Sequence, residues 1–70
     1  MAESVYKIID LVGSSPDSWE DAAKKAVETA GKSLSDLRIA EITKLDIKIE
    51  GGKVAAYRAR VKLSFKYITD

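Results

Sequence analysis

The stretch Leu37-Arg38-Ile39-Ala40-Glu41-Ile42-Thr43-Lys44-Leu45-Asp46-Ile47-Lys48-Ile49-Glu50 runs into Gly51-Gly52 and returns as Lys53 through Tyr67. Both arms alternate apolar and polar side chains with a period of two, the signature of extended strands. In the first arm Leu37, Ile39, Glu41, Thr43, Leu45, Ile47 and Ile49 fall on one face, with Ala40 and Ile42 on the other. In the second, Tyr57, Ala59, Val61, Leu63, Phe65 and Tyr67 oppose Arg58, Arg60, Lys62 and Lys66. Both arms far exceed the usual strand of about five or six residues. The one helix available in a 70-residue chain can cover only part of such a hairpin. The expectation is that other copies of the chain cover the rest.

The turn decides which faces match. A two-residue type I′ turn at Gly51-Gly52 pairs Glu50 with Lys53. One face then carries Ala40, Ile42, Ala59, Val61, Leu63 and Phe65 and meets the helix. The other carries Ile39, Glu41, Thr43, Leu45, Ile47, Arg58, Arg60 and Lys62. A bulge would swap the parity and gather the apolar residues on one face and the charges on the other. Pattern alone leaves both registers open.

Upstream, Val5 to Val12 reads as a first strand, with Tyr6, Ile8 and Val12 on one face and Val5, Ile9 and Leu11 on the other. Gly13-Ser14-Ser15-Pro16 ends it. Ser15 is the expected helix N-cap and Pro16 the first helical residue, where a missing N–H costs nothing. Asp17, Glu20 and Asp21 place negative charge at the positive helix end. Trp19, Ala22, Ala23, Ala26, Val27, Ala30 and Leu34 recur by threes and fours as the buried stripe, and the helix is predicted to stop near Ser33 to Asp36. Alanine dominates the stripe, so the helix can sit close to the sheet but buries little area.

Composition narrows the function classes. Twelve basic and eleven acidic residues nearly cancel, unlike the strongly basic balance of a general nucleic-acid binder. Cys and His are both absent. No disulfide or thiolate site can form, and a metal site would be all oxygen, suited to Ca²⁺ or Mg²⁺. A chain this short is marginal alone, which leaves oligomerisation as the expected source of stability. Met1-Ala2-Glu3-Ser4 lacks the basic and apolar regions of a signal peptide, so a cytoplasmic protein is expected. Neither a His general base nor a nucleophile elbow is present, so no enzyme is expected. Gly13-Ser14-Ser15 lacks the glycine spacing of a phosphate loop. The basic ladder Arg58, Arg60, Lys62 and Lys66 reads either as a solvated face or as one turned to an anionic ligand or acidic partner strands.

The order strand, Gly-Ser-Ser turn, helix and long hairpin resembles the dodecin family. Three stretches carry the resemblance: Val5 to Ser15, Leu37 to Ile42, and Tyr57 to Phe65. It spans nearly the whole chain as one domain, residues 1–70. It implies an α+β fold: a β-α-β-β subunit with a three-stranded antiparallel sheet, ordered 1-3-2, wrapped on one helix. It further implies a homododecameric hollow sphere that binds and stores small molecules, in many members flavins held in pairs at two-fold interfaces. The family's flavin-stacking tryptophan falls at Ile39, and the glutamine that hydrogen-bonds the flavin edge falls at Arg58. Arg38 precedes the stacking position where some flavin-binding members carry an acid. These departures resemble a flavin-poor branch of the family, for which the name calcium dodecin is used. The resemblance thus leaves flavin, another anionic ligand or Ca²⁺ as the cargo. The alternative to a ligand shell is a ligand-free structural or Ca²⁺-holding assembly.

Overall fold

A computed structural model describes residues 4–68, with side chains through residue 66. The readings of Met1 to Glu3 and of the Tyr67 side chain lie outside the described residues. Strand β1 (Val5–Ser15), helix α1 (Trp19–Gly31), strand β2 (Leu37–Glu50) and strand β3 (Lys53–Ile68) follow in chain order. The sheet is antiparallel in the order β1-β3-β2, as expected. Among the described residues no helix is long and apolar enough to cross a membrane.

Length sets the shape. The 13-residue helix rises about 20 Å, whereas the 16-residue β3 runs roughly 53 Å. The molecule accordingly extends 56 Å along its longest axis. The helix packs on β1 and β3 and scarcely meets β2. The core is small: Ala22, Ala23, Ala26 and Ala30 from the helix, Ala59, Val61 and Leu63 from β3. Ile9, Leu11, Val27, Leu34 and Leu37 pack around it.

Two boundaries differ from expectation for one reason. Strand β1 does not stop at Val12; it stays paired through Ser14 with Arg58 and Ser15 with Tyr57. Ser15 is therefore in the sheet and cannot cap the helix. Ser18 is the N-cap instead: its backbone is extended, and its Oγ accepts from the Asp21 amide at 3.0 Å. Pro16 lies in the connecting bend, not in the helix. Ser15 has no exposed surface, and its hydroxyl is satisfied twice. It accepts from the Asp17 amide at 3.0 Å and donates to Asp21 Oδ2 at 2.6 Å. At the other end the helix stops at Gly31, ahead of Ser33.

The Gly51-Gly52 turn is as read. Both glycines have positive φ, 58° and 74°, and Glu50 pairs with Lys53. The register then shifts between Lys48 and Ile49, between Ile42 and Lys44, and between Leu37 and Ile39. The shift at Ile42/Lys44 matters most. Ala40 and Ile42 still lie opposite Leu63 and Val61 on the helix side. Thr43 is the extra residue, and its hydroxyl donates to the Arg60 carbonyl at 3.3 Å. Beyond it Leu45 lies opposite Ala59, and Ile47 opposite Tyr57. Leu45 and Ile47 are thus on the helix side, not on the outer face where an unbroken register puts them. The bulge shifts the parity once, so apolar positions from both halves of β2 reach the helix side.

Candidate functional site

The face turned away from the helix is built in cross-strand rows, since directly opposed residues share a side. Along β3 the rows are Ile8–Ser64–Ile39, Asp10–Lys62–Glu41, Val12–Arg60–Lys44 and Ser14–Arg58–Asp46. The face mixes exposed apolar side chains with ion pairs. Tyr6, Ile8, Val12 and Ile39 are all substantially exposed, Ile39 at 67%. Lys62 Nζ pairs with Asp10 at 3.4 Å.

Arg58 meets Asp46 in a two-pronged pair: Nε donates to Oδ1 at 2.7 Å and Nη2 to Oδ2 at 2.8 Å. This fork geometry is the strong form of the arginine–carboxylate contact. The Arg58 hydrogen bonds hold the Asp46 carboxyl below its ordinary range, and Asp46 in turn raises the Arg58 guanidinium. The Asp46 carbonyl also accepts from Trp19 Nε1 at 3.0 Å, and the Trp19 ring meets Tyr57 edge to face at 5.1 Å. One residue of β2 therefore ties the start of the helix, through its backbone, to the outer face, through its side chain. Asp46 escaped sequence reasoning because an unbroken hairpin register sets Leu45, not Asp46, opposite Arg58. The register shift between Lys48 and Ile49, close to the turn, brings the acid into line.

A lowered carboxyl pKa stabilises the fold above the ordinary aspartate range near 3.9 and ceases to do so as pH falls through the lowered value. Asp46 should therefore titrate below a solvated aspartate when followed by carbonyl-carbon NMR. The Asp46→Asn protein should lose less stability than the parent between about pH 5 and pH 2. Equal acid sensitivity of the two proteins would show that the pair adds nothing. Both side chains are exposed, so the difference should be small.

The positions expected to form a ligand pocket are only partly brought together. Arg38 and Ile39 are adjacent at the start of β2 and line a shallow hollow of about 140 Å³ with Val27, Leu37, Ala40 and Leu63. Arg38 Nη2 reaches Asp36 Oδ1 at 3.2 Å. Asp36 has positive φ, 64°, and turns the chain into β2. Ile39 and Arg58 share the outer face, but their rows are six positions apart on β3, roughly 20 Å. A single ligand could touch both only where two copies meet. Of the acids at the helix start, Asp21 is committed locally: it accepts from Ser15 and pairs with Lys25 at 3.1 Å, and these contacts, Ser15 first, lower its pKa. Among the described residues no three acidic side chains of one chain converge as a metal site.

A helix laid on one half of a long open hairpin, with a charged and partly apolar opposite face, defines a small α+β subunit of the β-α-β-β class. The dodecin family model matches residues 5–68, and the chain belongs to the dodecin family. Calcium dodecin of Mycobacterium tuberculosis is 43% identical over 63 residues, covering 90% of this chain and 89% of that protein. The crystal structure of that calcium-chelating protein superposes with a TM-score of 0.83 at 44% identity, over 93% of both chains. Dodecin from Streptomyces coelicolor superposes with a TM-score of 0.90 at 34% identity, over 97% of both chains. The α+β fold and the 1-3-2 sheet are those of these relatives. The family indicates no enzymatic activity; its members are oligomers with small-molecule ligands.

The two positions where the resemblance places flavin contacts do not fit a stacked flavin. Ile39 supplies no planar π-surface. Arg58 offers donors only, and two of them are already held by Asp46.

Proposed function

We propose that this chain is the subunit of a homododecameric shell that binds and holds a small molecule between its subunits, with Arg38, Ile39 and Arg58 at the ligand-contacting positions. The observation that carries this reading is uncovered surface. The chain exposes 5166 Å², whereas a compact monomer of its mass exposes about 4,300 Å². Its radius of gyration is 14.6 Å, against about 11 Å for a compact domain of this length. The excess is apolar where it matters: Tyr6, Ile8, Val12 and Ile39 on the outer face, Ile42, Leu45 and Ile47 where the helix does not reach. So many exposed large apolar side chains in a chain this small point to an interaction surface.

Arg58 meets any ligand there with its fork already engaged by Asp46, and Ile39 meets it with an aliphatic wall. The reading therefore expects little riboflavin binding. A second reading, a shell that holds Ca²⁺ in place of an organic ligand, is favoured by the 43% identity to calcium dodecin. Since acids do not converge within one chain among the described residues, such a site would be shared between subunits.

Native mass spectrometry tests both. A homododecamer carrying an organic mass supports the ligand shell, and one that gains only calcium supports the second reading. A monodisperse 7.7 kDa species would sink both. Riboflavin titration followed by fluorescence quenching addresses the pocket. The parent should quench weakly, and Ile39→Trp combined with Arg58→Gln should quench strongly, because it restores a stacking surface and a group that both donates and accepts. Tight binding by the parent, or no gain in an assembled double variant, would overturn the assignment of these positions.

A further inference from the structure

The register shift between Lys48 and Ile49, which gives Asp46 to Arg58, also creates a second arrangement, one row away. It turns Lys44 out of the helix side and sets it directly opposite Arg60. Like charges directly opposite on adjacent strands repel. The rows on either side are balanced: Arg58 by Asp46 and Lys62 by Asp10. Among the described residues neither Lys44 nor Arg60 has an ion-pair partner.

The pair is held in place. The Thr43 hydroxyl bonds the Arg60 carbonyl at 3.3 Å, which pins the bulge to β3 just beside both cations. The two side chains line a depression of about 450 Å³ with Asp10, Val12, Thr43 and Lys62. Val12, 52% exposed, gives it an apolar side. Asp10 is occupied by Lys62, so the depression has two cations without an ion pair and no free acid among the residues that line it.

We propose that this depression binds a small oxyanion, a phosphate or the phosphoryl end of a phosphomonoester, between the Arg60 guanidinium and the Lys44 ammonium. A guanidinium offers a phosphate two parallel donors, and an ammonium adds a compact point charge. The bound dianion removes the repulsion between the two cations, so binding and stability of the hairpin rise together. The site uses neither Arg38, Ile39 nor Arg58 and stands whether or not those positions form a pocket.

The test is phosphate titration of the assembled protein at constant ionic strength, against chloride. Amide NMR shifts of Thr43, Lys44 and Arg60 and the melting temperature are the readouts. Phosphate should bind saturably, move these amides and raise the melting temperature above that in chloride. Arg60→Gln and Lys44→Gln should each weaken binding by roughly five- to ten-fold, the loss of one charge-assisted contact. Lys48→Gln should not. Glycerol 3-phosphate tighter than phosphate would assign the site to a phosphomonoester, and the reverse to the free ion. Equal behaviour in phosphate and chloride, or phosphate binding retained in Arg60→Gln, overturns the proposal. So does subunit loss in Lys44→Gln without any phosphate response. In that case a carboxylate of a second copy fills the depression; Glu41, opposite Lys62 on the same face and without an ion pair among the described residues, is one such carboxylate.

Discussion

Gly13→Ala should destabilise the protein by about 3 kcal/mol or more, an overpacking cost at the upper end of what core substitutions show. Gly13 lies opposite Ala59 on the helix side of the sheet. A Cβ there would overlap the backbone carbonyl of Ala22 and come to 3.1 Å from Ala26 Cβ. The carbonyl belongs to the helix, so no side chain can swing aside to relieve the clash. Only a shift of the whole helix would do so, and that opens the alanine layer Ala22, Ala26 and Ala59, which is buried to 7% exposure or less. The backbone of Gly13 does not have positive φ, so the expected loss is steric. Gly31→Ala provides the contrast: its Cβ would meet only Leu37 Cδ1, at an ordinary 3.7 Å. Denaturant melts at one fixed protein concentration should show a large loss for Gly13→Ala and little or none for Gly31→Ala. Equal midpoints would mean that the helix is not seated this closely.

Ile39→Asp should disrupt assembly. Within one subunit Ile39 is 67% exposed, so a carboxylate there costs almost nothing if the chain acts alone. If a second copy covers it, each interface buries an unpaired charge, a cost of several kcal/mol that symmetry repeats throughout the shell. Lys48→Asp is the control, because Lys48 is an exposed partner of Glu50 near the hairpin turn. Size-exclusion chromatography with light scattering should show smaller species for Ile39→Asp and the parent size for Lys48→Asp. An Ile39→Asp protein that assembles and melts like the parent would remove Ile39 from the interface, and the ligand position with it.

These two residues also show where sequence reading carries far and where it stops. The alanine stripe alone already describes a helix lying close on a sheet, whereas the tight seat at Gly13 is visible only in the structure. The ion pair at the outer face was not legible in the same way. Arg58 was singled out from family position, yet its partner Asp46 was not, because the partner depends on a register that period-two alternation does not fix. Ser15 illustrates the same limit at a helix start. Its chemistry suits a cap, and Ser18, three residues on, suits it equally. Pairing of Ser15 with Tyr57 across the sheet chose between them.

By itself, the sequence determined the element order, the Gly51-Gly52 turn with Glu50 opposite Lys53, the alanine face of the helix and the length of hairpin that one helix cannot cover. Each follows from interactions between near neighbours in the chain or from counting residues. Tertiary structure decided where β2 changes side. Two demands compete along β2: Ala40 and Ile42 must face Leu63 and Val61, and Leu45 and Ile47 must face Ala59 and Tyr57. An unbroken strand cannot meet both, because the two sets differ in parity. One extra residue resolves the conflict, and Thr43 takes that place because its hydroxyl can bond the Arg60 carbonyl across the gap. The choice depends on contacts between residues 10 to 23 positions apart, with the Trp19 indole docked on the Asp46 carbonyl closing the far side. The companion shift between Lys48 and Ile49, nearer the turn, set the Arg58–Asp46 pair on the outer face.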